Sequence, residues 1–174
     1  MSLILARPGV MDRRYPLPSP PVDVRPSRDL SRTPVLPRDP ERDPPTPITS
    51  TIWMLRMLDP LRDVLEMEKE GPCPRDFSKV DRIHQKILDI EEEKPALLRA
   101  DNPDTRWDNE PDLYWLPYTR AYYGGLAQLS LMSLHRPYIF HRKTSRDAAM
   151  KAGLNMLESQ RRSFVGLPSH SWRK

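Results

Sequence analysis

The chain has 174 residues, 21 of them proline, and a formal net charge of +4. Twelve prolines fall in residues 1–50, where Tyr15 is the only aromatic residue. A segment this poor in large apolar groups cannot offset the entropy of ordering itself, which excludes one globular domain of 174 residues. We predict a disordered Pro/Arg-rich tail over residues 1–49 and a helical domain over residues 50–174.

Two further classes are excluded by the composition. No apolar run approaches the roughly 18 residues of a membrane-spanning helix, and the apolar patch at residues 3–6 is too short for a secretory signal. Cys73 is the only cysteine, which excludes an internal disulfide framework and a cysteine-based zinc cluster. We expect a reducing compartment.

Charge is unevenly distributed. Residues 51–112 carry ten basic and sixteen acidic groups, whereas residues 113–174 carry ten basic and two acidic groups. The basic part could attract phosphate or an acidic partner, or the two parts could complement each other within the fold. We favour the second interpretation, because the basic residues lack the clustering of a nucleic-acid-binding arm.

The tail has the spacing of polyproline II ligands. Pro-x-x-Pro pairs occur at Pro18/Pro21 and Pro34/Pro37, and residues 37–42 have the basic flank that aromatic-lined grooves accept. These features favour an adaptor that binds SH3-like or WW-like partners. Such spacings also arise by chance in any proline-rich stretch.

Helical periodicity begins near residue 50, where Ser50 or Thr51 is the expected cap. Asp59-Pro60 is typical of a helix start, so this part forms either one kinked helix or two short ones, stopped at Gly71-Pro72. The next helix has the clearest apolar stripe of the chain and ends at Lys94-Pro95. Its stripe consists of Phe77, Val80, Ile83, Ile87 and Ile90.

His84, at the edge of that stripe, is typical of a packed or solvated side chain rather than a ligand. Residues 95–112 form a connection rich in acidic groups. They fail the EF-hand pattern, because a loop starting at Asp101 places Pro103 at its third position and Arg106 at its sixth.

A long apolar helix is predicted over residues 113–135. The adjacent Gly124 and Gly125 indicate a second helix packed closely against it. Pro137 must end the helix near His135, where His135 and Arg136 suit the negative helix end as cations. The expected inner face consists of Tyr114, Tyr118, Ala121, Tyr122, Gly125, Leu126, Leu129, Met132 and Ser133.

The last helix is expected to open at Thr144 or Ser145, with Asp147 completing a capping box, and to end at Gly166 and Pro168. With this helix, the fold class is all-α, an incomplete bundle of about four to five helices. The expected inner face of the last helix consists of Ala149, Ala152, Gly153, Met156, Leu157, Gln160 and Phe164.

No catalytic motif is found. There is no Gly-rich phosphate loop and no Gly-x-Ser-x-Gly elbow. Cys73 lies between two prolines and is typical of a loop thiol, and the spacing of His135 and His141 suits neither a helix face nor a zinc finger. We therefore expect no enzyme activity, no catalytic or metal-binding residue, and no cofactor.

One segment is distinctive. Leu134-His135-Arg136-Pro137-Tyr138 breaks a helix, and Ser145-Arg146 then starts an Ala-rich helix that reaches Gln160. This pattern resembles the regulatory (middle homology) region of fungal-specific transcription factors of the Zn2Cys6 family. Residues 80–85, 102–108 and 116–117 are also similar to it, so the resemblance covers about residues 50–172. We interpret the motif residues, including Ser145 and Arg146, as structural.

The resemblance implies a nuclear domain that regulates transcription by RNA polymerase II through contacts with other regulatory proteins, including a full-length relative, or by sensing a small molecule. The family's zinc cluster needs six cysteines, and this chain has one. We therefore expect neither zinc binding nor direct sequence-specific DNA binding. Because the family's helical region normally continues further, we also hypothesise a fragment or truncated product with part of an apolar face uncovered. A non-functional truncation is a third possibility beside the regulator and the adaptor.

Overall fold

The computed structural model describes residues 19–24, 36–71 and 76–166. Four α-helices occur in these residues: α1 (Pro47–Glu70), α2 (Ser78–Glu92), α3 (Leu116–His135) and α4 (Lys143–Gly166). Short 3-10 helices span Ala96–Leu98, Pro111–Leu113 and Arg136–Tyr138. The described part contains no β-strand beyond an isolated bridge between Val24 and Pro37. The all-α prediction is confirmed.

Helix α1 begins earlier than the sequence indicated. Thr46 is its cap: the Thr46 hydroxyl accepts from the Ile48 amide (3.1 Å), and the Thr49 hydroxyl accepts from the Thr46 amide (3.0 Å). Pro47 fills the first helical position, where a missing N–H leaves no donor unpaired. The predicted cap at Ser50 or Thr51 is therefore wrong, and both residues lie inside the helix.

Between the two alternatives for this segment, the structure has a single continuous helix that contains Pro60. A proline inside a helix removes one backbone hydrogen bond. Pro60 is fully buried, so its ring contributes to the core. The helix ends at Gly71, as predicted, and the φ of +85° at this glycine is one that L side chains rarely adopt.

Part of the predicted tail contacts the helical domain. Asp23 accepts hydrogen bonds from the hydroxyls of Thr46 and Thr49, each at 2.6 Å, and from Arg38 Nε at 3.0 Å. Burial opposes ionisation here, but these hydrogen bonds outweigh it and hold the pKa of Asp23 below its ordinary value. Residues 19–24 and 36–46 thus differ from the prediction of a disordered tail over residues 1–49. The other tail residues, with Pro18 and Pro34, lie outside the described part.

Helix α2 buries the stripe that its sequence predicts. Val80, Ile83 and Ile87 lie in the core, and Phe77 and Ile90 pack against it half-buried. At the start of the helix, the Asp76 carboxylate accepts from the Ser78 amide at 2.8 Å.

Helix α3 contacts the other three helices. Its predicted inner face is only partly correct: Leu126 and Met132 pack against the core, but the tyrosines do not lie inside. Tyr114 is 73% exposed and Tyr122 is 66% exposed. Because α3 is packed on more than one side, no side of it is wholly polar. The sequence therefore does not show which side of the helix faces solvent. A tyrosine can also keep its hydroxyl in water while its ring covers apolar surface. The buried residues are instead Leu116, Arg120, Tyr123, Ala127, Ser130, Leu131, Leu134 and His135.

Helices α3 and α4 approach closely, as the glycine pair predicts. A Cβ atom added to Gly124 would lie 2.7 Å from Ser159 Oγ and 2.9 Å from Ala100 Cβ. On α4, Ala152 is buried and Met156 Cγ lies 3.9 Å from the Cβ position of Gly125. The helix starts one or two residues before the predicted Thr144 or Ser145 and extends to Gly166.

The inner face predicted for α4 is only partly correct, because Leu157 and Gln160 are exposed. Positions 157 and 154 turn toward solvent when the small residues near Ala152 face α3. The side chain of Phe164, and Pro168, lie outside what the structure describes.

The acidic connection of residues 95–112 binds an arginine. Arg120 Nη1 and Nη2 each donate to the Asp108 carboxylate at 2.6 Å, while Nε and Nη2 donate to the carbonyls of Leu97 (2.6 Å) and Asp104 (2.7 Å). A buried guanidinium needs this many acceptors to offset its lost hydration. The connection is thereby held against α3.

Candidate functional site at the junction of α3 and α4

The distinctive motif forms the junction between α3 and α4. Helix α3 ends at His135, as predicted from Pro137, and the 3-10 helix Arg136–Tyr138 redirects the chain toward α4. The motif divides into two sets of side chains. Arg136 and Arg146 are exposed and Pro137 is half-buried, whereas Leu134, His135, Tyr138 and Ser145 are buried.

Three helices are joined here by a chain of hydrogen bonds. His84 Nδ1 of α2 lies 2.7 Å from His135 Nε2 of α3, and His135 Nδ1 lies 3.1 Å from Ser145 Oγ of α4. The two imidazole rings meet edge to face, with centroids 5.0 Å apart. His84 is therefore a packed residue with a specific partner. Sequence reasoning missed this pair, because its members are 51 positions apart and no local period links them.

Burial keeps both rings neutral near pH 7. Burial, with smaller contributions from the neighbouring His84 and Arg142, lowers the pKa of His135 to about 4, and the carboxylate of Asp81 opposes this shift. Burial also lowers the pKa of His84; Lys151 and Arg142 act in the same direction and Asp81 opposes them. The expectation that His135 is a cation at the helix end is therefore wrong. Arg136 lies exposed next to that helix end.

An ion pair closes the outer side of the junction. Arg142 donates to Asp81 at 2.8 Å and its guanidinium lies 5.0 Å from the centre of the Phe77 ring. The hydrogen bond from Arg142 holds the pKa of Asp81 below its ordinary value despite partial burial. Phe77 in turn meets the Tyr138 ring edge to face at 5.6 Å. The start of α2 is thereby attached to the segment between α3 and α4.

The Ser145 hydroxyl and the His135 ring are shielded from solvent. A serine hydroxyl beside an imidazole resembles a nucleophile and its base. Here Ser145 is 0% exposed and His135 is 3% exposed, so no substrate can reach either group in this conformation. The hydrogen bonds among His84, His135 and Ser145 hold three helices in one arrangement. Protonation of the histidines would disturb this arrangement.

A cavity of about 590 Å³ lies beside the glycine contact of α3 and α4. Its cations are already engaged: Arg120 binds Asp108, and Arg99 donates to the carbonyls of Glu92 (3.1 Å) and Lys94 (2.8 Å). The remaining lining is small or polar, with Ala121, Gly124, Gln128 and Asn155 among the lining residues. This cavity contains none of the motif residues.

No metal site occurs in the described residues, among which no three His, Cys, Asp or Glu side chains are placed to hold an ion. Cys73 lies outside the described residues. None of the described helices combines the length and apolar character that a membrane crossing requires.

Comparisons with known proteins identify no relative. No protein-family model matches the chain, and neither a curated protein nor a solved structure is significantly similar to it.

Proposed function

We propose that this chain is a helical regulatory module of transcription by RNA polymerase II, similar to the regulatory region of fungal-specific transcription factors. It acts in the nucleus through contacts with other regulatory proteins, and it has no DNA-binding cluster of its own. The support is the sequence resemblance together with one structural relationship among the residues that carry it.

That relationship is the convergence of separate family-like stretches. His84 comes from residues 80–85, His135 from the helix-breaking motif and Ser145 from the next helix, and the three side chains form one chain of hydrogen bonds. A fourth stretch, residues 102–108, supplies the Asp108 carboxylate that binds Arg120. Separate stretches that carry one resemblance are expected to meet in this way if they build a single structural unit.

The adaptor alternative meets one constraint at its basic-flanked motif. The flank, Arg42, has a side chain that is 87% exposed. Arg38, inside the Pro-x-x-Pro spacing, has a side chain that is 6% exposed and donates to Asp23 and to the Asp43 carbonyl (2.9 Å). A partner groove could reach Arg42, but it would have to break these hydrogen bonds before it could also bind Arg38.

A reporter assay tests the proposal. We expect the full chain, fused to an unrelated DNA-binding domain, to change reporter transcription at least threefold relative to that domain alone. The matched controls are Leu88→Gln, a change at an exposed position that leaves the effect intact, and Gly124→Val, which forces α3 and α4 apart and removes it. Equal reporter output from the fusion and the bare domain, at equal protein levels, contradicts the proposal.

DNA binding by the isolated chain is a second test. We expect fluorescence anisotropy with duplex DNA to show only weak, sequence-independent binding. Tight binding to one sequence, with a salt dependence that corresponds to several phosphate contacts, would show that the chain reads DNA itself.

A further inference from the structure

The outer face of α4 carries an apolar stripe that the fold does not use. Met150, Leu154 and Leu157 are 64%, 63% and 65% exposed. Their spacing of four and then three residues places them on one side of the helix. The opposite side of α4, with Ala152 and Met156, packs on the rest of the domain. The stripe is therefore a second apolar face.

Positive charge borders this stripe. Between residues 143 and 161, α4 carries four cations and two carboxylates. Glu158 accepts hydrogen bonds from Arg161 at 2.8 and 2.9 Å, so these two charges offset each other. Of the other charged residues, Asp147 is the single carboxylate and three exposed residues are cations. These are Lys143, Arg146 and Lys151.

The apolar stripe and the positive charge beside it together indicate the kind of partner that this face would bind. Helices that dock into protein grooves do so through apolar anchors at positions i, i+4 and i+7, which is the spacing of Met150, Leu154 and Leu157. We propose that the outer face of α4 is a docking surface for a partner protein whose apolar groove is rimmed by carboxylates. The inference deepens the proposed function, because it names the kind of protein contact through which the module would act, and it rests on that function for its biological role.

A second copy of the same face is a poorer occupant. Two such faces would bring together surfaces that both carry an excess of positive charge, which is unfavourable at low salt. Nucleic acid would bind the cations, but its grooves are polar and do not bury three apolar side chains. An acidic groove satisfies both features of the surface.

The test uses a single calcium-loaded lobe of calmodulin as a probe of this chemistry, since it presents an open, Met-rich apolar groove in an acidic protein. We expect the full chain to bind the lobe in isothermal titration calorimetry, and the affinity to fall when NaCl is raised from 50 to 500 mM. The double variant Leu154→Glu/Leu157→Glu should bind at least tenfold more weakly. Arg146→Glu should also weaken binding.

The matched control is Leu88→Glu on α2, where an exposed leucine outside this face is changed in the same way. Its affinity should equal that of the unmodified chain. Because all substituted side chains are exposed, thermal melts by circular dichroism should be unchanged for every variant. A double variant that melts as the parent does shows that lost binding is not lost folding.

Several results would overturn the docking surface. They are no binding of the unmodified chain, equal binding of the double variant, binding to phosphatidylserine vesicles but not to the lobe, and a concentration-dependent dimer that the double variant abolishes. The reporter assay separates the two proposals. If the double variant keeps the reporter effect, the docking surface is wrong and the regulatory function stands. If the lobe binds through this face while no reporter effect exists, the regulatory function is wrong and the surface stands.

Discussion

His84 Nδ1 lies 2.7 Å from His135 Nε2, across the contact between α2 and α3. A hydrogen bond between two imidazole nitrogens needs one donor and one acceptor, so at least one ring must be neutral. Burial of His135 makes its protonation unfavourable. The stability of the fold is therefore expected to depend on pH through this junction.

We expect the free energy of unfolding to be constant above about pH 7 and to fall as the pH decreases toward 4. The folded pKa of His135 is about 4, below the ordinary value of 6.5, so the unfolded chain binds more protons in this interval. The contribution of His135 to this loss should approach about 3 kcal/mol at pH 4. His84, whose pKa is also lowered, adds to the loss in the same direction. Urea denaturation at pH 7.5, 6 and 4.5 measures it. His135→Gln should remove most of this pH dependence, whereas His141→Gln, at an exposed histidine, should retain it. A parallel decline in both variants contradicts the assignment to His135.

Gly124→Ala should destabilise the protein by about 1–3 kcal/mol, because the new methyl group would meet Ser159 Oγ at 2.7 Å and Ala100 Cβ at 2.9 Å. Alanine favours a helix over glycine by about 1 kcal/mol, so a loss despite this gain would identify overpacking. Gly153→Ala is the matched control, since nothing lies within 4 Å of its Cβ position, and it should raise stability. Thermal melts distinguish the two. Equal stabilisation by both substitutions would show that α3 and α4 are not in close contact.

Arg120→Leu should cost about 3–5 kcal/mol, because it leaves the Asp108 carboxylate without its bidentate partner and also removes the hydrogen bonds to the carbonyls of Leu97 and Asp104. Arg120→Lys should cost a smaller part of this stability, since an ammonium group keeps the charge but cannot make the bidentate hydrogen bonds of a guanidinium. Arg136→Leu, at an exposed arginine, should change stability little. Chemical denaturation measures all three, and a loss below 1 kcal/mol for Arg120→Leu would be incompatible with this role.

Tyr138→Phe should leave stability unchanged or raise it by up to about 1 kcal/mol, because the buried Tyr138 hydroxyl has no hydrogen-bond partner within the described part of the chain. Burial also raises the pKa of this phenol. Tyr138→Ala should cost about 3–5 kcal/mol through the lost ring, which packs against Phe77. If Tyr138→Phe lost more than 1 kcal/mol, the hydroxyl would have a partner that this arrangement lacks.

Local signals in the sequence predicted much of the fold. The regular stripe of Val80, Ile83 and Ile87 predicted α2 and its buried face, since one side of that helix is apolar and the other charged. Gly71 and Pro137 marked helix ends, because φ preferences and missing N–H groups act within a few residues. The glycine pair predicted the close approach of α3 and α4.

The cap of α1 was mispredicted although its signal is local, because Thr46 precedes Pro47 and forms a capping box with Thr49. What is tertiary is the additional pairing of Thr46 and Thr49 with Asp23, which is more than twenty residues away in a segment whose composition predicts disorder. The buried face of α3 was mispredicted because that helix packs against three others. Apolar residues therefore occur on several of its sides, and their spacing does not indicate which side is buried most deeply.

The sequence by itself determined the all-α class, most helix ends and the motif at residues 134–138, because these depend on neighbours along the chain. Only the tertiary structure decided that His84 meets His135, that Arg120 binds Asp108, and that Leu157 faces solvent. These relationships depend on how helices pack, which is set by shape and burial summed over residues far apart in the sequence.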